Sequence, residues 1–165
     1  MANKTIVDLG PSLSGVELYY RRIHDLFEAM GKFNEVRGIY DKLDEWMPPS
    51  VAAVYHKTYH DNRRIVEEKY AERKGRIERI WGYVLESCNE LGIKYTEQDI
   101  REFRALARST DKETKFRTKV GGLVNRKYAA AGNERENRLA GKTPKPIHVM
   151  SLREIITWYQ TPRKK

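Results

Sequence analysis

From Val16 onward apolar residues fall at Val16, Tyr19, Tyr20, Ile23, Phe27 and Met30, steps of three and four that turn one side of a helix toward a core. A hydroxyl at Ser12 or Ser14 can cap its start, and Gly31 suits its end. A second series, Phe33, Val36, Ile39, Tyr40, Leu43, Trp46 and Met47, keeps the same period. Pro48-Pro49 stops it, because proline has no amide donor and clashes with the preceding turn. Two amphipathic helices with so short a link predict a hairpin.

Ser50 opens a third series through Val51, Val54, Tyr55, Tyr59, Ile65, Val66, Tyr70, Ile77, Ile80, Trp81, Val84, Cys88 and Leu91, with Gly92 as its C-cap. A continuous helix of about 40 residues would be roughly 60 Å long, more than the width of a compact domain. Its middle, residues 60–76, is too charged for a core. The helix therefore either bends near Asn62 or Gly75 or projects outward, which is ordinary for an assembling protein.

Thr96 and Asp99 form a capping-box pattern for a short helix through Ile100, Phe103, Leu106 and Ala107. A further helix is expected from Glu113 to Ala131, with Phe116, Val120, Leu123, Val124 and Tyr128 facing inward. Gly121-Gly122 weakens its centre and invites a kink or a close backbone approach. Residues 132–148 read as an extended basic loop. Ser151 and Glu154 make a capping box for a last helix through Ile155, Ile156, Trp158 and Tyr159. No segment alternates long enough to predict a strand. The expected fold is all-α: antiparallel helical hairpins with one very long central helix, an extended basic loop and a short C-terminal helix.

Charge changes this picture more than composition does. Residues 1–93 carry 14 Lys/Arg against 15 Asp/Glu, whereas residues 94–165 carry 18 against 8, so the whole net charge of +9 comes from the C-terminal part. A regional excess of cations points to a polyanion, since phosphate neutralisation releases condensed counterions. The reading is a helical assembly region over 1–93 and a basic, DNA-binding helical region over 94–165, with one continuous domain as the alternative. No apolar run reaches the roughly 18 residues of a membrane span, and the first residues lack the apolar core of a signal peptide. Cys88 is the one cysteine, which excludes an intrachain disulfide framework. Only Gln98 and Gln160 represent glutamine amid abundant Tyr, Glu, Lys and Arg, a bias associated with hot environments.

Little points to catalysis. His56 and His60 have a spacing that could hold a metal, but nothing marks a third ligand and no glutamate follows His56. Cys88 lies on the apolar stripe between Val84 and Leu91, as a buried, inert thiol would. The carboxylates Asp41, Asp44, Glu45, Glu67, Glu68 and Glu72 alternate with Lys42, Lys69 and Arg73, which suits surface pairing rather than a Mg²⁺ cluster. Neither a phosphate-binding glycine loop nor a nucleophile elbow occurs. No enzyme activity, cofactor or metal is expected.

Arg101, Arg104 and Arg108 lie at i, i+3 and i+7, one stripe along the short helix. Lys112, Lys115 and Lys119 continue the stepping, and Arg126, Lys127, Arg135, Arg138, Lys142 and Lys145 carry the positive track onward. Guanidinium forks match phosphate oxygens, so such a row can follow a duplex backbone without reading bases. Glu97, Asp99 and Glu102 are the local acids that would answer it. The alternative is a helix-turn-helix regulator over 96–131, turning at Ser109-Thr110-Asp111, with Asn125 or Arg126 at base edges. A further alternative is a helical protein-interaction module in a ribonucleoprotein or an inhibitor. Aromatic faces such as Tyr19, Tyr20, Trp46, Trp81 and Trp158 are expected to bury against neighbouring subunits.

In size, in the helical blocks separated by Pro48-Pro49, in the overlong third helix and in the basic C-terminal half, the chain resembles the major capsid proteins of rod-shaped and filamentous viruses of hyperthermophilic archaea. The resemblance is one of layout and composition. It implies antiparallel helices wrapped around double-stranded DNA, a helical nucleocapsid built with itself or a related subunit, and a place in the virion. The first 15 residues carry only Lys4 as a basic side chain, unlike the strongly basic arms of some such coats.

Overall fold

The computed structural model describes residues 4–7, 13–42, 56–108 and 115–161, with backbone alone at 4–7 and 56–60. Along them run β1 (Lys4–Val7), α1 (Leu13–Asp41), α2 (His56–Leu91), α3 (Glu97–Arg108), α4 (Lys115–Leu139), β2 (Ile147–Met150) and α5 (Leu152–Gln160). The chain is mostly helical, as its apolar period requires. Ser12, the Leu43–Met47 end of the second apolar series, Pro48-Pro49, the Ser50 cap, Lys112 and the basic tail lie outside the described residues, as do the side chains of His56 and His60.

Gly31 does not end a helix: α1 runs through it to Asp41, and Ser14 sits inside the helix rather than at its cap. One interior glycine costs only about 1 kcal/mol relative to alanine. Met30 and Val36 are buried on either side of it, about 120° apart round the helix. The first two expected helices are therefore one, and no hairpin forms between them. α2 is likewise helical through Asn62 and Gly75. Gly92, at φ +71°, ends it where expected.

The chain divides into two compact units, Met1–Phe27 with Ile80–Lys165, and Glu28–Arg79. The start of α1 belongs with the C-terminal elements because the Tyr19 hydroxyl donates to the Met150 carbonyl at 2.8 Å, and the Met150 amide donates to the Tyr20 hydroxyl at 3.0 Å.

In the first unit Phe27 stacks on Phe103 at 5.9 Å between ring centroids, and Phe116 meets both edge-on. Trp81 packs on Phe103 and Tyr159 on Phe116. Edge-on and offset contacts of this kind suit the ring quadrupole. Val16, Ile23, Val84, Ile155 and Ile156 are fully buried around them. Tyr19, Tyr20 and Trp81 are thus buried within the chain itself, which corrects their assignment to contacts between subunits.

The expected loop over 132–148 is replaced by three features. α4 continues to Leu139, Gly141 at φ +81° closes it, and β2 pairs antiparallel with β1, Lys4 opposite Met150 and Val7 opposite Ile147. The polar residues that suggested a loop tie the chain back on itself. Glu134 accepts from the Lys145 amide at 3.0 Å and from Arg138 at 2.9 Å, and Arg138 donates to the Lys145 carbonyl at 2.7 Å. Four-residue strands are too short to show alternation. The Ser151–Glu154 capping box starts α5 as expected.

In the second unit Tyr70 of α2 meets Phe33 and Tyr40 of α1, the latter stacked at 4.2 Å. Arg73 donates to the Lys32 carbonyl at 2.7 Å. Arg63–Glu67 and Arg64–Glu68 pair one turn apart on the charged stretch of α2. Ile65, placed on the apolar series, is 46% exposed. Among the described residues no helix is long and apolar enough to cross a membrane.

Candidate nucleic-acid interface

α3 begins with two reciprocal bonds, Thr96 amide to the Asp99 carboxylate at 3.0 Å and Asp99 amide to the Thr96 hydroxyl at 3.1 Å. Phe103 and Ala107 face inward from it. The opposite side carries the arginine stripe: Arg101 and Arg108 are exposed, and Arg104 is half-buried. Two of the three acids expected to neutralise that stripe, Asp99 and Glu102, are engaged elsewhere. Arg153 of α5 donates to Asp99 at 2.8 Å and to Glu102 at 2.7 Å. Burial alone would raise the Asp99 carboxyl, but the Thr96 amide and the Arg153 guanidinium outweigh it and hold it below the usual carboxylate range. Hydrogen bonding to Arg153 lowers Glu102 as well. Among the described residues Arg101 reaches only Gln98, at 3.4 Å.

α4 presents a second stripe. Lys115, Lys119 and Arg126 recur at turn spacing and are exposed, with Gly122 between them. The Arg126 guanidinium lies back over that glycine, 3.5 Å from where a Cβ would sit. Gly121-Gly122 neither breaks the helix nor admits a neighbouring backbone: no other chain segment lies within 4 Å of either Cβ position among the described residues.

The remaining track residues separate by environment. Lys127, about 100° round the helix from Arg126, is half-buried on the arc that carries the buried Val120 and Leu123. Arg135 forks onto Glu17, at 2.9 and 3.5 Å. Arg138 is spent on Glu134 and Lys145, as above, and those bonds lower the Glu134 carboxyl, the Lys145 amide most of all. Lys142 and Lys145 are exposed beyond α4. Arg108, Lys119, Arg126 and Lys142 form no ion pair among the described residues.

A groove between α1 and α4 was not legible beforehand. Tyr20, Arg21, His24 and Asp25 line one wall, Asn125 and Tyr128 the other, around a volume of about 330 Å³. Tyr128, expected inward, is 40% exposed, because it falls about 40° further round α4 than the buried Val124. Arg21 and Asp25 sit in a stretch of balanced charge and gave no regional signal; their i, i+4 spacing beside Tyr20 and His24 was the available clue. Burial pushes the Tyr20 phenol up to about 12. It pushes the Cys88 thiol up to about 12 as well, which disfavours the thiolate at neutral pH. The chain matches no protein-family model, no curated protein and no solved structure.

Proposed function

We propose that this chain is a non-enzymatic, sequence-indifferent structural protein that coats and packages double-stranded DNA, as a capsid protein of a helical, filamentous virion, in contact with copies of itself or a related subunit. The observation that carries this reading is the confinement of the positive excess to residues 94–165, with Arg101, Arg108, Lys119, Arg126 and Lys142 of that stretch exposed. Two stripes at turn spacing suit a polymer of phosphates better than a single base step. Asn125 and Arg126, the pair a helix-turn-helix reader would use, project about 100° apart, one into the α1 groove and one onto the lysine stripe. That favours backbone contact over the regulator reading.

Assembly is the second half of the proposal. Arg73 reaches Lys32 and Glu35 whereas Tyr70, nearly one turn earlier, meets Phe33 and Tyr40, an order that supports antiparallel pairing of α1 and the 36-residue α2. Tyr40, Ile65 and Leu139 are exposed and supply apolar surface for neighbours. Weak binding by one subunit becomes cooperative when neighbours touch. Electron microscopy of the purified protein with linear double-stranded DNA tests this. Regular filaments, formed equally on unrelated sequences, are expected; discrete particles, or loading that random competitor DNA cannot displace from one defined site, would contradict it.

A further inference from the structure

We propose that the groove between α1 and α4 binds a single unstacked nucleobase. This goes beyond DNA coating and rests on residues apart from the two phosphate stripes.

The groove, at about 330 Å³, is at the small end of ligand clefts, which run from roughly 300 to 1,000 Å³, and matches a base with its sugar. Its lining carries both signs of hydrogen bond. Arg21 offers donors, the Asp25 carboxylate offers acceptors, and the Asn125 amide offers both. An anion alone would meet Asp25 unfavourably, even with His24 Nδ1 3.7 Å from that carboxylate, and an aliphatic ligand would satisfy neither Arg21 nor Asn125. A neutral heterocycle with donors and acceptors along one edge satisfies them together. Tyr128, 40% exposed on the same wall as Asn125, adds an aromatic surface for stacking.

The walls are fixed before any ligand arrives. Tyr20 is 1% exposed, and its hydroxyl accepts from the Met150 amide at 3.0 Å. The Arg135–Glu17 fork at 2.9 Å joins α4 to α1. Asn125 and Tyr128 stand at i, i+3 and Arg21 and Asp25 at i, i+4, so each wall is two adjacent turns of a rigid helix. A stacked and paired base presents neither its face nor its pairing edge. The occupant is therefore a base from a single strand, a strand end or an extruded nucleotide.

The test uses the full ¹⁵N-labelled chain and uncharged probes, the four 2′-deoxynucleosides, with inorganic phosphate as the control. Deoxynucleosides carry no phosphate, so the outcome is independent of whether the chain coats duplex DNA. At least one deoxynucleoside should move the amide signals of Arg21, Asn125 and Tyr128 saturably, and phosphate should not. Tyr128→Ala should weaken that binding about tenfold and Tyr128→Phe should preserve it, since stacking needs only the ring. Asn125→Ala, an exposed helical substitution that leaves the fold intact, should also weaken it about tenfold. The proposal is overturned if no deoxynucleoside moves these signals, if phosphate moves them equally, or if Asn125→Ala binds like the parent chain.

Discussion

The Arg104 guanidinium lies over the Trp81 ring, its central carbon 5.5 Å from the ring centroid. This contact divides an arginine stripe that looks uniform in the sequence. Trp81 is only 5% exposed, so Arg104 covers part of the core with its stem and charge together. Arg104→Ala is expected to cost about 1–2 kcal/mol of stability through the lost cation–π contact and packing, and to red-shift Trp fluorescence. Arg101→Ala should change stability by less than about 0.5 kcal/mol and act on DNA affinity instead. Thermal unfolding beside a DNA titration separates the two roles.

Arg126 and Arg135 provide a paired comparison on one helix. Arg135 is already committed to Glu17, whereas Arg126 is exposed with no ion pair among the described residues. Arg126→Ala should weaken duplex binding about three- to tenfold at low salt, and Arg135→Ala by less than about twofold. Fluorescence anisotropy at one salt concentration checks the ratio; equal losses would mean that the Glu17 pair does not hold Arg135 back.

The Asp99, Glu102 and Glu134 carboxyls all lie below their ordinary values in the folded chain, so each favours folding while ionised. That contribution is complete above the unfolded carboxylate values of about 4 and is lost as pH falls through the lower folded values. Tm should stay level from neutral pH down to about 5 and drop steeply below about 4. Arg153→Met removes the shared partner of Asp99 and Glu102 and should flatten the acid drop while lowering Tm at neutral pH. Melting curves across this range decide it.

Gly92 holds a left-handed backbone, φ +71°, where its amide donates to Asn89 and the next amide donates to Cys88 at 2.8 Å. Gly92→Ala should destabilise the chain by about 1 kcal/mol, because a Cβ is disfavoured in that conformation. Beyond its chain neighbours no atom of the described residues lies within 4 Å of the added methyl, so the loss measured by denaturant unfolding would be conformational rather than steric.

Helical class, the Thr96–Asp99 and Ser151–Glu154 boxes and the Gly92 stop were legible because each is a local bargain among neighbours in sequence. What could not be read depends on distant partners. Gly31 looked like a terminus, yet buried residues on both sides of it hold the helix together. Glu134 and Arg138 looked like loop residues until Lys145 returned to meet them. The stripes were visible as spacing. Which cations would be taken up by Trp81, Glu17 or Glu134 was not, since those partners lie on other elements or depend on how far α4 extends. The α1–α4 groove was invisible for the same reason: its two walls are about 100 residues apart in sequence, the length of a whole small domain.

The salt dependence of binding to linear double-stranded DNA tests the central claim most directly. The account predicts a steep fall of log affinity with log salt, about 0.9 in slope for each phosphate neutralised. Changing Arg101, Arg108, Lys119 and Arg126 together to alanine should make that slope shallower by about 3 to 4. A slope near zero for the parent chain, or the same slope in the fourfold variant, would contradict it.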